Sequence, residues 1–167
     1  MRRSPFPQAP DLPTFTSTVH DDALWMQRAL ELAHAAASIG EVPVGAVIVS
    51  GGRLVAEAHN LTRSLDDPTA HAEMAALRKA TVRLGTTRLL DATMYVTLEP
   101  CAMCAGALVL SKLQRLVFAA ADPKTGMCGS LGCIVQDPRL NHRVALTAGV
   151  LDVPAGDLLR RFFRARR

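Results

Sequence analysis

The sequence predicts an α/β fold with three layers, an α/β/α sandwich in which helices cover both faces of a central sheet. Segments rich in β-branched residues alternate along the chain with segments that carry apolar residues at helical spacing, and this alternation is typical of α/β domains. The 167 residues suit one domain, and a hydrophobic fraction of 49% is enough for one sizeable core. We therefore expect a single folded domain over residues 21–167.

Residues 1–20 are expected to form a flexible arm, because they contain four prolines together with several serines and threonines. The basic start of the chain leads into these prolines and not into an apolar segment, so it does not read as a secretory signal. No run of about 18 apolar residues occurs, and no membrane span is predicted. These features favour a cytoplasmic protein.

The first helix is predicted to begin at Asp21, where an acidic side chain suits the positive end of the helix dipole, and to end at Gly40. His34 lies within this helix and is interpreted as structural. Two strands, over 42–49 and 53–58, are then joined by the Gly-Gly turn of a hairpin.

Gly45 interrupts the first of these strands. Glycine weakens the interior of a strand unless another group must approach the backbone closely. That group is either a substrate base lying against Gly45-Ala46 or the next helix, packed against the sheet, and the residues themselves favour neither.

The remaining elements are a helix over 68–84, a strand over 92–98, a helix over 101–110, a strand over 115–120, a strand over 143–148 and a helix from 154. Pro68 suits the first turn of a helix and Gly85 suits its end. A glycine-rich loop over 122–132 separates the last two strands and is the kind of segment that carries function.

Cys101 and Cys104 have the C-x-x-C spacing with which two thiolates hold one metal ion, and His71 can supply a third ligand. Three protein ligands leave one position of a tetrahedral ion open, which is the catalytic pattern. The alternative, a closed structural site, needs a fourth ligand, and no second cysteine pair stands at the required spacing. Cys128 and Cys133 are interpreted as small apolar or loop residues of a reducing compartment.

Glu73 lies two residues after His71 and is a natural proton carrier for a metal-activated water molecule. Positions i and i+2 do not share a helix face, but at the tip of a helix both side chains can reach a ligand near the axis. Without the cysteines, the alternative is a capping histidine beside a glutamate that the helix dipole favours.

The H-x-E and P-C-x-x-C patterns together form the signature of zinc deaminases, and further stretches resemble bacterial tRNA adenosine deaminases. These stretches are 67–74, 95–106, 122–126, 141–144 and 162–167. The resemblance covers roughly residues 21–167. It implies a cytidine deaminase-like fold with a mixed five-stranded sheet between helices, one zinc ion per subunit, and a homodimer.

The resemblance also implies an activity. Zinc-bound hydroxide would attack C6 of adenosine. Glu73 would take a proton from the zinc-bound water, deliver it to purine N1 and then pass one to the departing ammonia, so that inosine is formed. The substrate would be the wobble adenosine in the anticodon loop of an arginine tRNA, where bases are already splayed out.

An asparagine in the position of Asn60 hydrogen-bonds the target base in this family, so Asn60 is expected to bind the substrate. Further substrate contacts are expected from Ala46, Asp122, Lys124 and Asn141. For Lys124 the alternative is an ordinary solvated charge.

Five arginines lie within the last eight residues, although the net charge of the whole chain is only +4. The terminal helix therefore either contacts RNA with a basic face or is merely solvated. Two rival functions are a guanine or cytosine deaminase of small substrates, against which the basic helix argues, and a non-catalytic zinc-binding RNA module, in which Glu73 would have no purpose.

Overall fold

The computed structural model describes residues 21–166, and the arm expected over residues 1–20 lies outside the described residues. The described chain contains four α-helices and five strands. In chain order they are α1 (Asp21–Ser38), β1 (Gly45–Ser50), β2 (Arg53–His59), α2 (Ala72–Leu84), β3 (Ala92–Leu98), α3 (Ala102–Leu110), β4 (Arg115–Ala120), β5 (Ala145–Ala148) and α4 (Asp152–Arg164). None of the described helices is long and apolar enough to cross a membrane.

The five strands form one mixed sheet, as the resemblance implies, and their order in the sheet is β2-β1-β3-β4-β5. β1 is antiparallel to β2 and β3, whereas β3, β4 and β5 run parallel. Parallel neighbours need a crossover connection, and α3 provides it between β3 and β4. The carboxyl ends of β3 and β4 consequently lie side by side, at the edge where open α/β sheets bind ligands.

Helices cover both faces of the sheet, which confirms the three predicted layers. Successive strand side chains point to opposite faces. In β1, Ile48 joins the core formed with α2 and α3, whereas Val47 and Val49 join the core formed with α1 and α4. Burial of apolar side chains on both faces stabilises the sandwich and holds the N-termini of α2 and α3 against the same edge of the sheet.

The helix α2 begins four residues later than the sequence predicts. Pro68 and Thr69 form a turn, because the Asp67 carboxylate accepts hydrogen bonds from the backbone N–H and the hydroxyl of Thr69, both at 2.7 Å. His71 is then the N-cap residue, in an extended conformation with φ −69° and ψ 154°, and Ala72 is the first helical residue.

Gly45 accommodates a close approach of α1 to the sheet. A Cβ atom at this position would overlap the carbonyl oxygen of Ala29. The helix that requires the glycine is therefore the preceding one and not the next one along the chain.

Candidate active site

A pocket of about 130 Å³ opens where the N-termini of α2 and α3 meet the carboxyl ends of β3 and β4. Its polar lining residues come from four separate segments of the chain, and they are Asn60, Thr62, His71, Glu73, Glu99, Cys101, Asp122 and Thr125. The fold thus brings together most of the site residues that the sequence predicted.

Three potential metal ligands converge beside this pocket. The Nδ1 atom of His71 lies 3.7 Å from Cys101 Sγ and 3.6 Å from Cys104 Sγ, and the three donor atoms all lie within 4.8 Å of one another. With Zn–S and Zn–N bonds of about 2.3 and 2.1 Å, tetrahedral coordination separates an imidazole nitrogen from a thiolate sulfur by about 3.6 Å. The donor set and its spacing therefore fit a zinc ion.

Both parts of this cluster lie at the start of a helix. His71 is the N-cap residue of α2, and Cys101 is the N-cap residue of α3. Cys104 follows three residues later in the first turn of α3, so its thiol returns to the side of Cys101. The positive end of the helix dipole favours a thiolate at this place.

The two thiols of the cluster have opposite pKa shifts. Hydrogen bonds with Cys104 and His71 lower the pKa of Cys101 to about 4. The pKa of Cys104 is raised, first by its hydrogen bond with Cys101 and then by burial. The hydrogen bond with Cys101 also raises the pKa of His71. One thiolate therefore forms readily, and the second thiol is expected to lose its proton when a cation binds.

Glu73 carries a buried carboxyl group next to the potential ligands, with only 4% of the residue exposed. It is the second residue of α2. Burial raises its pKa above the ordinary value, and this outweighs its hydrogen bonds. A carboxyl group whose pKa moves toward neutrality can both accept and deliver a proton, which suits the predicted role in acid–base catalysis.

Asn60 forms a second part of the pocket wall, directly after β2, and is only 5% exposed. Its backbone N–H donates to the carbonyl oxygen of Val44 (3.0 Å). Its side-chain nitrogen donates to the Glu41 carboxylate and to the Thr62 hydroxyl, both at 3.0 Å. Sequence reasoning missed Glu41. The signal for it in the sequence is the presence of an acidic residue between the end of a helix and an apolar strand.

Glu99 organises the loop that follows β4. Its buried carboxylate accepts hydrogen bonds from the backbone N–H groups of Asp122 (2.9 Å), Cys128 (3.0 Å) and Ser130 (2.9 Å), and from the Ser130 hydroxyl. A Cβ atom at Gly126 would overlap this carboxylate, so the close approach of the loop requires glycine there. In the sequence, Glu99 directly precedes the P-C-x-x-C motif, but sequence reasoning assigned it no role.

The other predicted substrate contacts lie at different distances from the pocket. Asp122 lines it, although its carboxylate also accepts hydrogen bonds from the backbone of its own loop. Lys124 lines a neighbouring groove. Ala46 is fully buried in β1, and Asn141 is exposed and accepts a hydrogen bond from Lys112. Neither Ala46 nor Asn141 lines the pocket, and their roles in substrate binding stay predictions.

The neighbouring groove, of about 1010 Å³, runs between the loop after β4 and α4. The groove and the pocket share four lining residues, which are Val42, Leu98, Asp122 and Thr125. From α4 the groove receives Phe163, which is 49% exposed, together with Arg160 and Arg164. Exposed aromatic rings and guanidinium groups are suited to stacking with bases and to contact with phosphates.

The sequence matches a known protein family over residues 20–167, the family described as MafB19-like deaminase. A tRNA-specific adenosine deaminase of Bacillus subtilis is 48% identical over 146 residues, which span 87% of this chain and 91% of the relative.

Solved structures give a corresponding result. A structure from studies of A-to-I editing by tRNA:A34 deaminases at the wobble position of transfer RNA matches with a TM-score of 0.79 at 41% identity, covering 81% of this chain and 99% of that chain. A guanine deaminase from Nitrosomonas europaea matches with a TM-score of 0.73 at 25% identity, covering 92% and 88% of the two chains. The fold is common to both, and the sequence is more similar to the first.

Proposed function

The chain belongs to the MafB19-like deaminase family, together with the tRNA-specific adenosine deaminases, and we propose that it converts the wobble adenosine of an arginine tRNA anticodon to inosine. The observation that carries the proposal is the His-Cys-Cys donor set beside one pocket, together with the buried carboxyl group of Glu73 in the wall of that pocket. A binding module has no use for a buried carboxyl group that holds no metal.

Zinc is the proposed cofactor, one ion per chain, held by His71, Cys101 and Cys104. The distances among the three donor atoms support this assignment. When bound, zinc supplies a Lewis acid that makes water a nucleophile near neutral pH.

Glu73 is the proposed proton carrier. Its burial beside the ligands places a carboxyl group with a raised pKa where the purine ring would enter. It takes one proton from the attacking water and delivers it to purine N1 as the C6–O bond forms. It then takes the remaining proton from the C6 hydroxyl and passes it to the amino nitrogen as the C6–N bond breaks. Ammonia departs, C6 keeps the oxygen, and the product is inosine.

The substrate side of the pocket is assigned to Asn60, which hydrogen-bonds the flipped base. The neighbouring groove takes the flanking nucleotides of the anticodon loop, with Phe163 available for stacking and Arg160 and Arg164 for phosphates. Asp122 and Lys124 are proposed contacts along the same path. A homodimer in the cytoplasm completes the proposal.

The decisive experiment is nucleoside analysis of tRNA after incubation with the pure, zinc-loaded protein. An arginine tRNA transcript with adenosine at the wobble position should gain inosine, whereas the same transcript with guanosine there should gain none. Free adenine, guanine and cytosine are assayed in parallel. Deamination of a free base without inosine in the tRNA would overturn the proposal in favour of an enzyme of small substrates.

A further inference from the structure

Glu41 is a buried carboxylate that does not line the pocket and takes no part in the proton transfers above. We propose that Glu41 is the positioning residue of the substrate side of the site, because it holds the side-chain amide of Asn60 in one orientation and ties that amide to the loop over residues 60–64. The inference rests on the proposed function, in which Asn60 binds the target base.

Among the described residues, the hydrogen-bond donors to the Glu41 carboxylate all come from this loop. The residue is 0% exposed. One carboxylate oxygen, Oε1, accepts from the backbone N–H (2.6 Å) and the hydroxyl (2.8 Å) of Ser64. The other oxygen, Oε2, accepts from Asn60 Nδ2 (3.0 Å) and, at longer range, from the backbone N–H of Arg63 (3.3 Å) and the Thr62 hydroxyl (3.5 Å).

These hydrogen bonds are what make the buried charge tolerable. A carboxylate removed from water is costly unless its oxygens accept hydrogen bonds, and none of the ion pairs among residues 21–166 involves Glu41. Burial alone raises the pKa of Glu41, but the hydrogen bonds from Ser64, Arg63 and Asn60 outweigh it and hold the pKa below its ordinary value. The group is thus a fixed anion near neutral pH.

An ionised carboxylate can only accept hydrogen bonds, and this decides the orientation of the Asn60 amide. The two ends of an amide have nearly the same shape, so its hydrogen-bond partners select between the two orientations. Glu41 and Thr62 both face Nδ2. The oxygen Oδ1 is then directed away from Glu41, and no donor among the described residues is hydrogen-bonded to it.

The consequence for binding is preorganisation. A base that enters the pocket meets an amide whose donor and acceptor ends are already assigned, so little orientational freedom is lost on binding. The same carboxylate holds Ser64 through its second oxygen. Glu41 therefore holds the amide through one oxygen and the loop through the other, and it acts on the substrate only through Asn60.

A double-mutant cycle tests this relation. In the parent, Glu41→Gln should lower kcat/KM for inosine formation in arginine tRNA by roughly tenfold, since it places a donor against the Asn60 amide or the Ser64 N–H. In an Asn60→Ala background the same substitution should cost less than about twofold, because residues that act through one another are not additive. An equal loss in both backgrounds overturns the proposal.

Ser64→Ala is the matched control for the loop. It removes a donor to Oε1 and leaves the contact between Oε2 and Asn60 in place. Its loss of kcat/KM should therefore be the same in the parent and in the Asn60→Ala background. A parent protein that forms no inosine at all overturns the proposed function, whereas an active parent with additive losses for Glu41→Gln overturns only the role of Glu41.

Thermal unfolding gives a readout that does not depend on activity. Asn60→Asp places a second carboxylate against Glu41 and should lower Tm, and Glu41→Gln should raise Tm again in the double variant, because its amide can donate to the introduced carboxylate. A further decrease of Tm in the double variant contradicts the proposed contact between the side chains of Glu41 and Asn60.

If the Glu41→Gln variant does not fold, hydrogen exchange of side-chain amide protons in the parent tests whether the Asn60 amide is held in place. The side-chain amide protons of Asn60, identified by their absence from the spectrum of Asn60→Ala, should exchange with water at least tenfold more slowly than those of the exposed Asn141. Equal exchange rates overturn the proposal.

Discussion

Glu73 differs from the other buried carboxylates around the site in the balance of forces on its charge. Burial dominates at Glu73 and raises its pKa. At Glu41 and Glu99 burial also acts to raise the pKa, but several backbone and hydroxyl donors outweigh it and lower the pKa below the ordinary value. The same chemical group is therefore available for proton transfer at one position and serves as a fixed anion at the other two.

Replacement of Glu73 by alanine should abolish most deamination while zinc stays bound. Glu73 is asked to serve several proton transfers, so the rate should fall by more than the roughly 10²–10⁴-fold that one general-base step provides. Asn60→Ala, the comparison variant, removes a hydrogen bond worth roughly 1–3 kcal/mol and should leave measurable activity. Single-turnover inosine formation and zinc content are measured on the same samples. A Glu73→Ala protein that keeps its zinc and stays within tenfold of the parent rate contradicts the assignment.

Zinc content should depend on two of the four cysteines. Cys128 and Cys133 are free thiols whose backbones form an isolated antiparallel β-bridge, and both lie outside the donor cluster. Cys101→Ser and Cys104→Ser should each reduce zinc from about one ion per chain toward zero, because three ligands are the minimum for this kind of site. Elemental analysis after dialysis provides the measurement. Loss of zinc from the control variants Cys128→Ser or Cys133→Ser would show that the ligand set is wrong.

Among the elements, two helix N-termini and two loops build the site. The N-termini of α2 and α3 carry the proposed metal ligands. The loops over 60–64 and 122–130 supply the walls, and each is held by a buried carboxylate that accepts several hydrogen bonds, Glu41 for the first and Glu99 for the second. The secondary-structure elements thus position the reacting groups, whereas buried anions position the loops.

The helix α4 combines a packing face with a basic face. Phe162 is buried, and the guanidinium group of Arg166 lies 3.6 Å from the centre of its ring. Arg160 and Arg164 line the groove. Deletion of the C-terminal residues would therefore remove core contacts together with charge, and substitution of the groove arginines is the cleaner test of RNA binding.

The double variant Arg160→Ala/Arg164→Ala should weaken tRNA binding. It should also flatten the dependence of log K on log salt by about 0.7–0.9 for each phosphate contact that is lost, because fewer counterions are released. The matched control is Arg53→Ala/Arg83→Ala, which removes two exposed arginines from β2 and α2. Binding of anticodon stem-loop RNA is measured at several salt concentrations. Identical salt slopes for the two double variants would mean that α4 is merely solvated.

For the whole molecule, the buried carboxylates of Glu41 and Glu99 predict how the free energy of unfolding changes as the pH falls. A carboxylate whose pKa is lowered in the folded state contributes stability that is fully present above its ordinary pKa of 4.5 and is lost as pH falls through the lower folded value. The free energy of unfolding should therefore decline below about pH 5.

The variant Glu41→Gln isolates one part of this decline. It should be less stable than the parent at pH 7, and the difference should shrink as pH falls below 4.5, because the parent loses the contribution of this anion and the variant has none to lose. Denaturant unfolding at pH 7 and in the acid range, with equal zinc content, measures the difference. An unchanged difference in acid contradicts the role of Glu41 as a stabilising anion, and Glu31→Gln on the exposed side of α1 is the control.

The sequence by itself determined the α/β class, the order of strands and helices and the three metal-ligand candidates. The elements and the cysteine pair are encoded locally, because a strand or helix is visible in the period of its apolar residues and the C-x-x-C spacing brings two thiols together within one turn. The resemblance to tRNA adenosine deaminases added the mixed sheet, the assignment of Asn60 and the substrate.

Only the tertiary structure decided which remaining residues serve the site. Glu41 meets Ser64, and Glu99 meets Ser130, across more than twenty intervening residues in each case, and no local pattern announces such contacts. The start of α2 was also not predictable from Pro68. The Asp67 carboxylate accepts a hydrogen bond from the backbone of Thr69, and the resulting turn delays the helix to Ala72. The long-range contacts of Glu41 and Glu99 form only when the chain packs around the sheet, because this packing brings buried carboxylates and their hydrogen-bond donors together from segments that are far apart in sequence.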